Sequence, residues 1–167
     1  MGRFVFALDE MKQPSRGVRK SLMARAIGLL ARREHSRVEL ARKLQRHLEP
    51  DDDASEIGSV LDTLQAQNLL SDARFASALV GQRAARYGDM RVRRDLRDRG
   101  VESACADVAM EKLRGTELAR AHAVWARRFD VLPANADERG RQGRYLQTRG
   151  FSMHAITRVL AGKGDAE

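Results

Sequence analysis

The amino-acid sequence predicts an all-α protein, an elongated array of three tandem three-helix repeats. Three observations carry this prediction. A basic helix centred on a leucine recurs at a period of about 50 residues, the mark of a modular array. Apolar residues fall at helical spacing from Leu22 onward. Aromatic residues make up only 5% of the chain and charged ones 32%, which leaves a small aliphatic core suited better to a linear stack than to a sphere.

The recurrence is clearest from Leu96. Leu44 stands 52 residues before it and Leu146 stands 50 after, inside the segments Ser36–Leu48, Gly88–Gly100 and Glu138–Gly150. Met23, Phe75 and Trp125 each precede the leucine by 21 residues, and each is followed by alanine (Ala24, Ala76, Ala126), which marks them as equivalent core anchors. Downstream, Ile57, Ala106 and Ile156 correspond, with Leu61, Met110 and Leu160 four residues later. The first repeat needs three extra residues there, which Asp51, Asp52 and Asp53 supply. Units this short lie near the lower size for independent stability, so mutual packing between neighbours is expected.

Residues 1–20 read as an N-terminal arm, with Phe4, Val5 and Phe6 able to pair as a short strand and residues 12–17 as a linker; a dimer through this arm is one possibility. Repeat 1 spans 21–70. Its first helix uses Leu22, Ala26, Leu29 and Leu30. Ser36 with Glu39, and Asp53 with Glu56, form capping boxes for the second and third helices. The acidic triplet 51–53 reads as a solvated helix-start loop rather than a magnesium site, because no second acidic cluster converges on it. Repeat 2 spans 71–115. Ser71 or Asp72 caps a helix through Phe75, Ala76, Leu79 and Val80; Gly88 supplies the backbone freedom of a turn, Asp89 starts the next helix, and the third helix carries Cys105, Val108, Ala109 and Leu113. Repeat 3 spans 116–162, breaks at Leu132-Pro133-Ala134-Asn135, and resumes near Asp137. Gly100 and Gly150 close their helices as residues just past the last turn. Residues 163–167 read as a frayed tail.

The formal net charge is +8, and of 31 basic residues 26 are arginine. The planar guanidinium fork suits phosphate and carboxylate, so a polyanion or an acidic protein surface is the expected partner. The candidate contact residues are Arg83, Arg86, Arg91, Arg93, Arg94, Arg97 and Arg99, around a helix whose other side carries Val92 and Leu96. Arg91 with Asp95, and Arg94 with Asp98, stand at i, i+4 and can pair. Arg83, Arg86, Arg93 and Arg97 have no such partner in sequence and are the first choice for binding.

Other chemistries find no support. Cys105 sits among alanines with no histidine placed to activate it. His35, His47, His122 and His154 show no metal-ligand spacing and read as helix-surface or helix-end residues. No glycine-rich phosphate loop is present, so neither cofactor nor metal nor catalysis is expected. The opening apolar run is too short for a signal peptide and no stretch is long enough to span a membrane, which points to the cytoplasm.

Leu69-Leu70-Ser71-Asp72, Arg74-Phe75-Ala76, Tyr87-Gly88, Leu96, Arg99-Gly100-Val101, Tyr145-Leu146 and Arg149-Gly150-Phe151-Ser152 together resemble the bacterial RecX family over roughly Leu22 to Leu160. Asp89 departs from the proline or small residue usual in that family after Tyr-Gly. The resemblance implies a non-enzymatic array, curved to lie in the groove of a RecA–DNA filament. It also implies a function, to restrain filament growth, ATP hydrolysis by the recombinase, strand exchange and stimulated repressor cleavage, with consequences for DNA repair and the SOS response. The partner implied is the RecA filament on DNA, with direct contact to single- or double-stranded DNA a further possibility for a monomeric chain. The alternative from the residues alone is a direct DNA-binding helical-repeat protein. Against it, no helix spaces Asn, Gln and Arg for reading base edges.

Overall fold

A computed structural model describes residues 21–50 and 52–163. The expected arm, the dimer assigned to it, and the tail beyond Lys163 lie outside the described residues. Within them the chain forms nine α-helices and no strand: α1 Leu22–Leu30, α2 Arg37–Arg46, α3 Glu56–Ala66, α4 Asp72–Ala84, α5 Asp89–Asp98, α6 Ser103–Met110, α7 Glu117–Ala126, α8 Ala136–Thr148 and α9 Met153–Leu160. A 3-10 turn, Glu111–Leu113, continues α6.

Short polar side chains start most of these helices. Ser36 Oγ accepts from Glu39 N (3.0 Å), Ser71 Oγ from Arg74 N (3.3 Å), Asn135 Oδ1 from Glu138 N (2.9 Å) and Ser152 Oγ from Ala155 N (3.2 Å). The expected boxes are only partly realised. Glu39 turns away from Ser36 to pair with Arg33, and Asp53 spends its carboxylate on Ser55 N (2.8 Å), leaving α3 to start at Ser55 without a side-chain cap. The acidic loop is also less solvated than expected, because Asp52 pairs with a half-buried Arg25.

Each helix triplet closes its own core. One cluster gathers Leu22, Ala26, Leu40, Leu44, Ile57, Leu61 and Leu64, a second Phe75, Leu79, Val92, Leu96 and Met110, a third Trp125, Leu146, Phe151, Ile156 and Val159. The mutual apolar packing expected between units is therefore replaced by internal cores. The equivalent positions also differ from those expected. Counted from the helix starts, Ala26, Ala76 and Ala121 are each the fifth residue of the first helix of a triplet, and each is 0% exposed. Phe75 and Trp125 are buried, but Met23 is only partly so, and the common anchor is a small residue that lets the other helices approach. The uniform 21-residue spacing misleads because the link between first and second helices lengthens in the third triplet, at 127–135. Val108, named among the apolar residues of the third helix of repeat 2, is 75% exposed.

The triplets meet through helix ends, and the two joints repeat one another. The first N–H of α2, on Arg37, is accepted by Asp72 Oδ1 at 2.7 Å, and the first N–H of α5, on Asp89, by Glu117 Oε1 at 3.4 Å. Asp72 and Glu117 are themselves the first residues of α4 and α7. The carbonyl of Arg99, past the end of α5, accepts from Ser36 Oγ at 2.6 Å, and that of Arg149, past the end of α8, accepts from Gly88 N at 2.9 Å. Met90 N also donates to Gly150 O (3.2 Å). Thus the starts of α2 and α5 each face the end of the middle helix in the following triplet, positive pole to negative pole. Ion pairs flank both joints, Arg74 with Glu34 in the first and Arg120 with Asp89 in the second.

Glycines permit this approach. Gly100 (φ +73°) and Gly150 (φ +81°) close α5 and α8 with paired bonds, Val101 N to Leu96 O and Gly100 N to Arg97 O, repeated at Phe151 and Gly150. A Cβ on Gly100 would stand 2.5 Å from Val38 Cγ2, and one on Gly150 would stand 2.5 Å from Arg91 N. Gly88 differs from expectation. Its φ of −77° suits any residue, and glycine is required because a Cβ would collide with the backbone of Gly150 and Phe151. At the free ends the chain caps itself. Glu138 Oε2 accepts from Ala134 N (2.9 Å) beside the Asn135 cap of α8, and Arg25 Nη1 donates to His47 O (2.7 Å) at the end of α2.

His35 stands at a helix end, just before the Ser36 cap of α2, and is buried there, at 1% exposed. Its Nδ1 meets Arg33 O at 2.9 Å and its Nε2 meets Lys43 Nζ at 3.0 Å. A carbonyl only accepts and an ammonium only donates, so the ring is neutral with its proton on Nδ1. Burial pushes its pKa below the ordinary imidazole value; the carbonyl bond opposes this, and the charges of Arg33 and Lys43 add to the depression.

Two predictions follow from the joints. Gly88→Ala should cost about 2 kcal/mol in urea denaturation, and Gly150→Ala at least as much, whereas Gly58→Ala and Gly81→Ala, in open helical positions, should gain up to about 1 kcal/mol each. Equal behaviour of the two pairs would contradict the joint. Because the folded chain holds a proton on His35 less well than the unfolded chain, stability should be full above about pH 6.5 and fall as pH drops through that value toward the lowered one. Urea midpoints across this range should flatten in His35→Gln.

Candidate functional site

The arginine-dense turn and helix α5 were the sequence-based choice, and the structure sorts their side chains by partner. Asp95 is 8% exposed and lies between Arg83 Nε and Arg91 Nε, 3.4 Å from each. Both guanidinium groups also approach the Tyr87 ring, at 5.4 and 5.7 Å from its centroid. Arg99 folds back on its own helix, donating from Nη1 to Asp95 O at 2.9 Å. Arg83 thus ties α4 to Asp95 of α5, while Arg91 and Arg99 bind residues of α5 itself. Arg93 pairs with Asp107 of α6, and Arg94 with Asp98 at 3.7 Å, both on open surface. Arg83 and Arg93 therefore have partners that sequence spacing did not reveal, since α5 brings Asp95 under α4, and α6 brings Asp107 beside α5. Arg86 and Arg97 are exposed and have no ion pair among the described residues.

The third triplet distributes its charge differently. It holds Arg120, Arg127, Arg128, Arg139, Arg141, Arg144, Arg149 and Arg158 against Glu117, Asp130, Asp137 and Glu138. Among the described residues only Arg120 of this group reaches an ion pair, with Asp89 of the second triplet. Glu117 is spent on Ser152, accepting from its N (3.1 Å) and Oγ (2.7 Å), and Glu138 on the start of α8. At the joint of the second and third triplets a cleft of about 320 Å³ is lined by Ala85, Arg86, Tyr87, Val124, Arg127, Tyr145 and Arg149. Arg127 and Arg149 were not singled out in sequence. Only Arg149's place in the Tyr145-Leu146…Arg149-Gly150 motif marked the region, and nothing local joins either residue to Arg86.

No grouping of histidine, cysteine, aspartate or glutamate able to hold a metal occurs among the described residues, and no helix there is long and apolar enough to cross a membrane. Burial pushes the Cys105 thiol up, with Asp72 and Glu102 adding to the shift, away from the thiolate that reactivity needs.

Three self-contained helix triplets joined end to end by polar contacts, with a partly unneutralised arginine surface, define a helical-repeat protein. Residues 23–57, 71–110 and 116–160 match, in that order, the first, second and third three-helix domains of RecX. The chain is 47% identical over 140 residues to Regulatory protein RecX of Leptothrix cholodnii, covering 84% of this chain and 87% of that protein. It is 44% identical over 142 residues to Regulatory protein RecX of Ralstonia pickettii, covering 85% and 87%. The chain belongs to the RecX family. A crystal structure of RecX from Lactobacillus salivarius shares the fold, with a TM-score of 0.69 over 85% of this chain and 94% of that one at 17% identity.

Asp95→Ala should cost about 1–2 kcal/mol of stability, because it leaves the partly exposed Arg83 and Arg91 without their shared counter-ion. Arg94→Ala, on open surface, should stay within about 0.5 kcal/mol of the parent in the same urea titration. A neutral Asp95→Ala would show that Asp95 does not organise the cluster.

Proposed function

We propose that this chain is a negative modulator of the RecA recombinase, binding the groove of the RecA–DNA filament and limiting its extension, ATP hydrolysis and strand exchange. Through these steps it acts on homologous recombination, DNA repair and the SOS response in the cytoplasm. Membership of a family whose relatives are named regulatory proteins is the observation that carries this reading. The repeated joint supports it physically. Three units set in one order by the same end-to-end contact present successive faces to successive subunits of a helical partner, and modest contacts add through effective concentration. The candidate contacts remain Arg86 and Arg97, which have no ion pair, and Arg93 and Arg94, which give up only surface pairs on binding. Arg83, Arg91 and Arg99 serve by holding that surface in place. The chemistry stays with the recombinase, and this chain acts by occupancy.

The test is single-stranded-DNA-dependent ATP hydrolysis by RecA with DNA in large excess. Inhibition is expected at well below one molecule per recombinase subunit. An unchanged rate at all ratios, with tight salt-sensitive binding to naked DNA, would replace this reading by that of a direct DNA-binding protein.

A further inference from the structure

We infer that the cleft between the second and third triplets holds the phosphates of a nucleic-acid strand. This deepens the preceding reading by assigning one component of the filament, its DNA, to one joint, and it rests on that reading for its biological setting alone. Arg86, Arg127 and Arg149 line the cleft with Tyr87 and Tyr145, and no carboxylate is among its lining residues. None of the three has an ion pair among the described residues. Their few internal bonds are weak, from Arg127 Nη1 to Ala85 O and from Arg149 Nη1 to Tyr145 O, both 3.4 Å. Each guanidinium carries five donors, so most of the donor capacity in the cleft is unspent. Three such cations without a counter-ion repel one another, and an anion removes that cost.

The arginines are also held in position. Arg149 stacks on Tyr145 with its Cζ 3.7 Å from the ring centroid, and Phe129 meets the same ring edge-on at 5.2 Å. Tyr87 is flanked by Arg83 and Arg91. With these rings already in use, the cleft offers cations and few stacking faces, which suits a backbone and reads no bases. Arg141 lies on the same face of α8, two steps of four residues before Arg149 with Tyr145 between them, about 12 Å along the axis. It too has no ion pair among the described residues. A row of cations leading out of a cationic cleft fits a strand of regularly spaced charges better than a single carboxylate.

The test is fluorescence anisotropy of a short labelled oligodeoxythymidylate, titrated with the full chain at several salt concentrations. Arg86→Gln alone removes a side chain with no hydrogen bond or ion pair among the described residues, and it should lower the slope of log affinity against log salt by about 0.7. The variant carrying Arg86→Gln, Arg127→Gln and Arg149→Gln should lower it by about 2, with a melting curve verifying the fold. A charge-matched control with Arg32→Gln, Arg46→Gln and Arg114→Gln should keep most of the wild-type slope. Equal losses in the two triple variants, or an unchanged slope in Arg86→Gln, would overturn the cleft. So would polyglutamate outcompeting the oligonucleotide at equal charge, which would assign the site to an acidic protein surface. RecA ATPase assays on the same proteins separate the two readings. A wild-type chain that leaves RecA unaffected, while the cleft variants still lose DNA binding, removes the recombinase reading and supports the cleft.

Discussion

Carbonyls at the end of one helix, met by N–H groups and hydroxyls at the start of another, are the contacts on which the arrangement of this protein depends. Every helix leaves orphan donors at one end and orphan acceptors at the other. Here the middle helices satisfy part of one another's deficit, through Ser36 and Arg99 in one joint and Gly88 and Arg149 in the next. Because the bonds are directional and the backbones nearly touch, each joint has little freedom in register. Apolar packing could not set the geometry so narrowly, since it is tolerant of sliding, and the three cores are accordingly kept inside the triplets.

This division separates two kinds of arginine. One kind is structural. Arg120 donates to Tyr87 O at 2.9 Å and pairs with Asp89, Arg74 bridges to Glu34, and Arg83 and Arg91 enclose Asp95. The other kind is left over, and it is concentrated in the third triplet and at Arg86. Net charge alone does not separate them. The helix that looks most basic in sequence is the better neutralised, because Asp95 and Asp98 stand on it and Asp107 reaches it from α6.

Much of the fold was legible because helix signals are local. Serines at helix starts, glycines at 100 and 150, and apolar spacing in each unit located the helices, while the Asn135 cap of α8 was read as part of the break before it. The polar joints were not legible, since Asp72 with Arg37 and Glu117 with Asp89 are pairs made by tertiary placement. Gly88 was read as a turn residue for the same reason: the backbone it must clear belongs to the next triplet. Met23, Phe75 and Trp125 aligned by count, whereas the conserved geometry of the fold is carried by Ala26, Ala76 and Ala121 at equal depth from their helix starts. Of the arginine surface, Arg86 and Arg97 were found from missing sequence partners. Arg83 and Arg93 were misread by the same criterion, and Arg127 and Arg149 required the third dimension.

The outer ends of the first and last middle helices are built differently from the ends that meet at the joints. Leu48 occupies the place that Gly100 and Gly150 hold in the other two units, so the end of α2 lacks the glycine that lets a neighbour's backbone close in. At the start of α8, N–H donors are already taken by side chains of the same segment, Ala134 N by Glu138 and Glu138 N by Asn135. Among the described residues, the end of α2 and the start of α8 are capped from within their own triplets, where the helix ends at the two internal joints are capped by a neighbour.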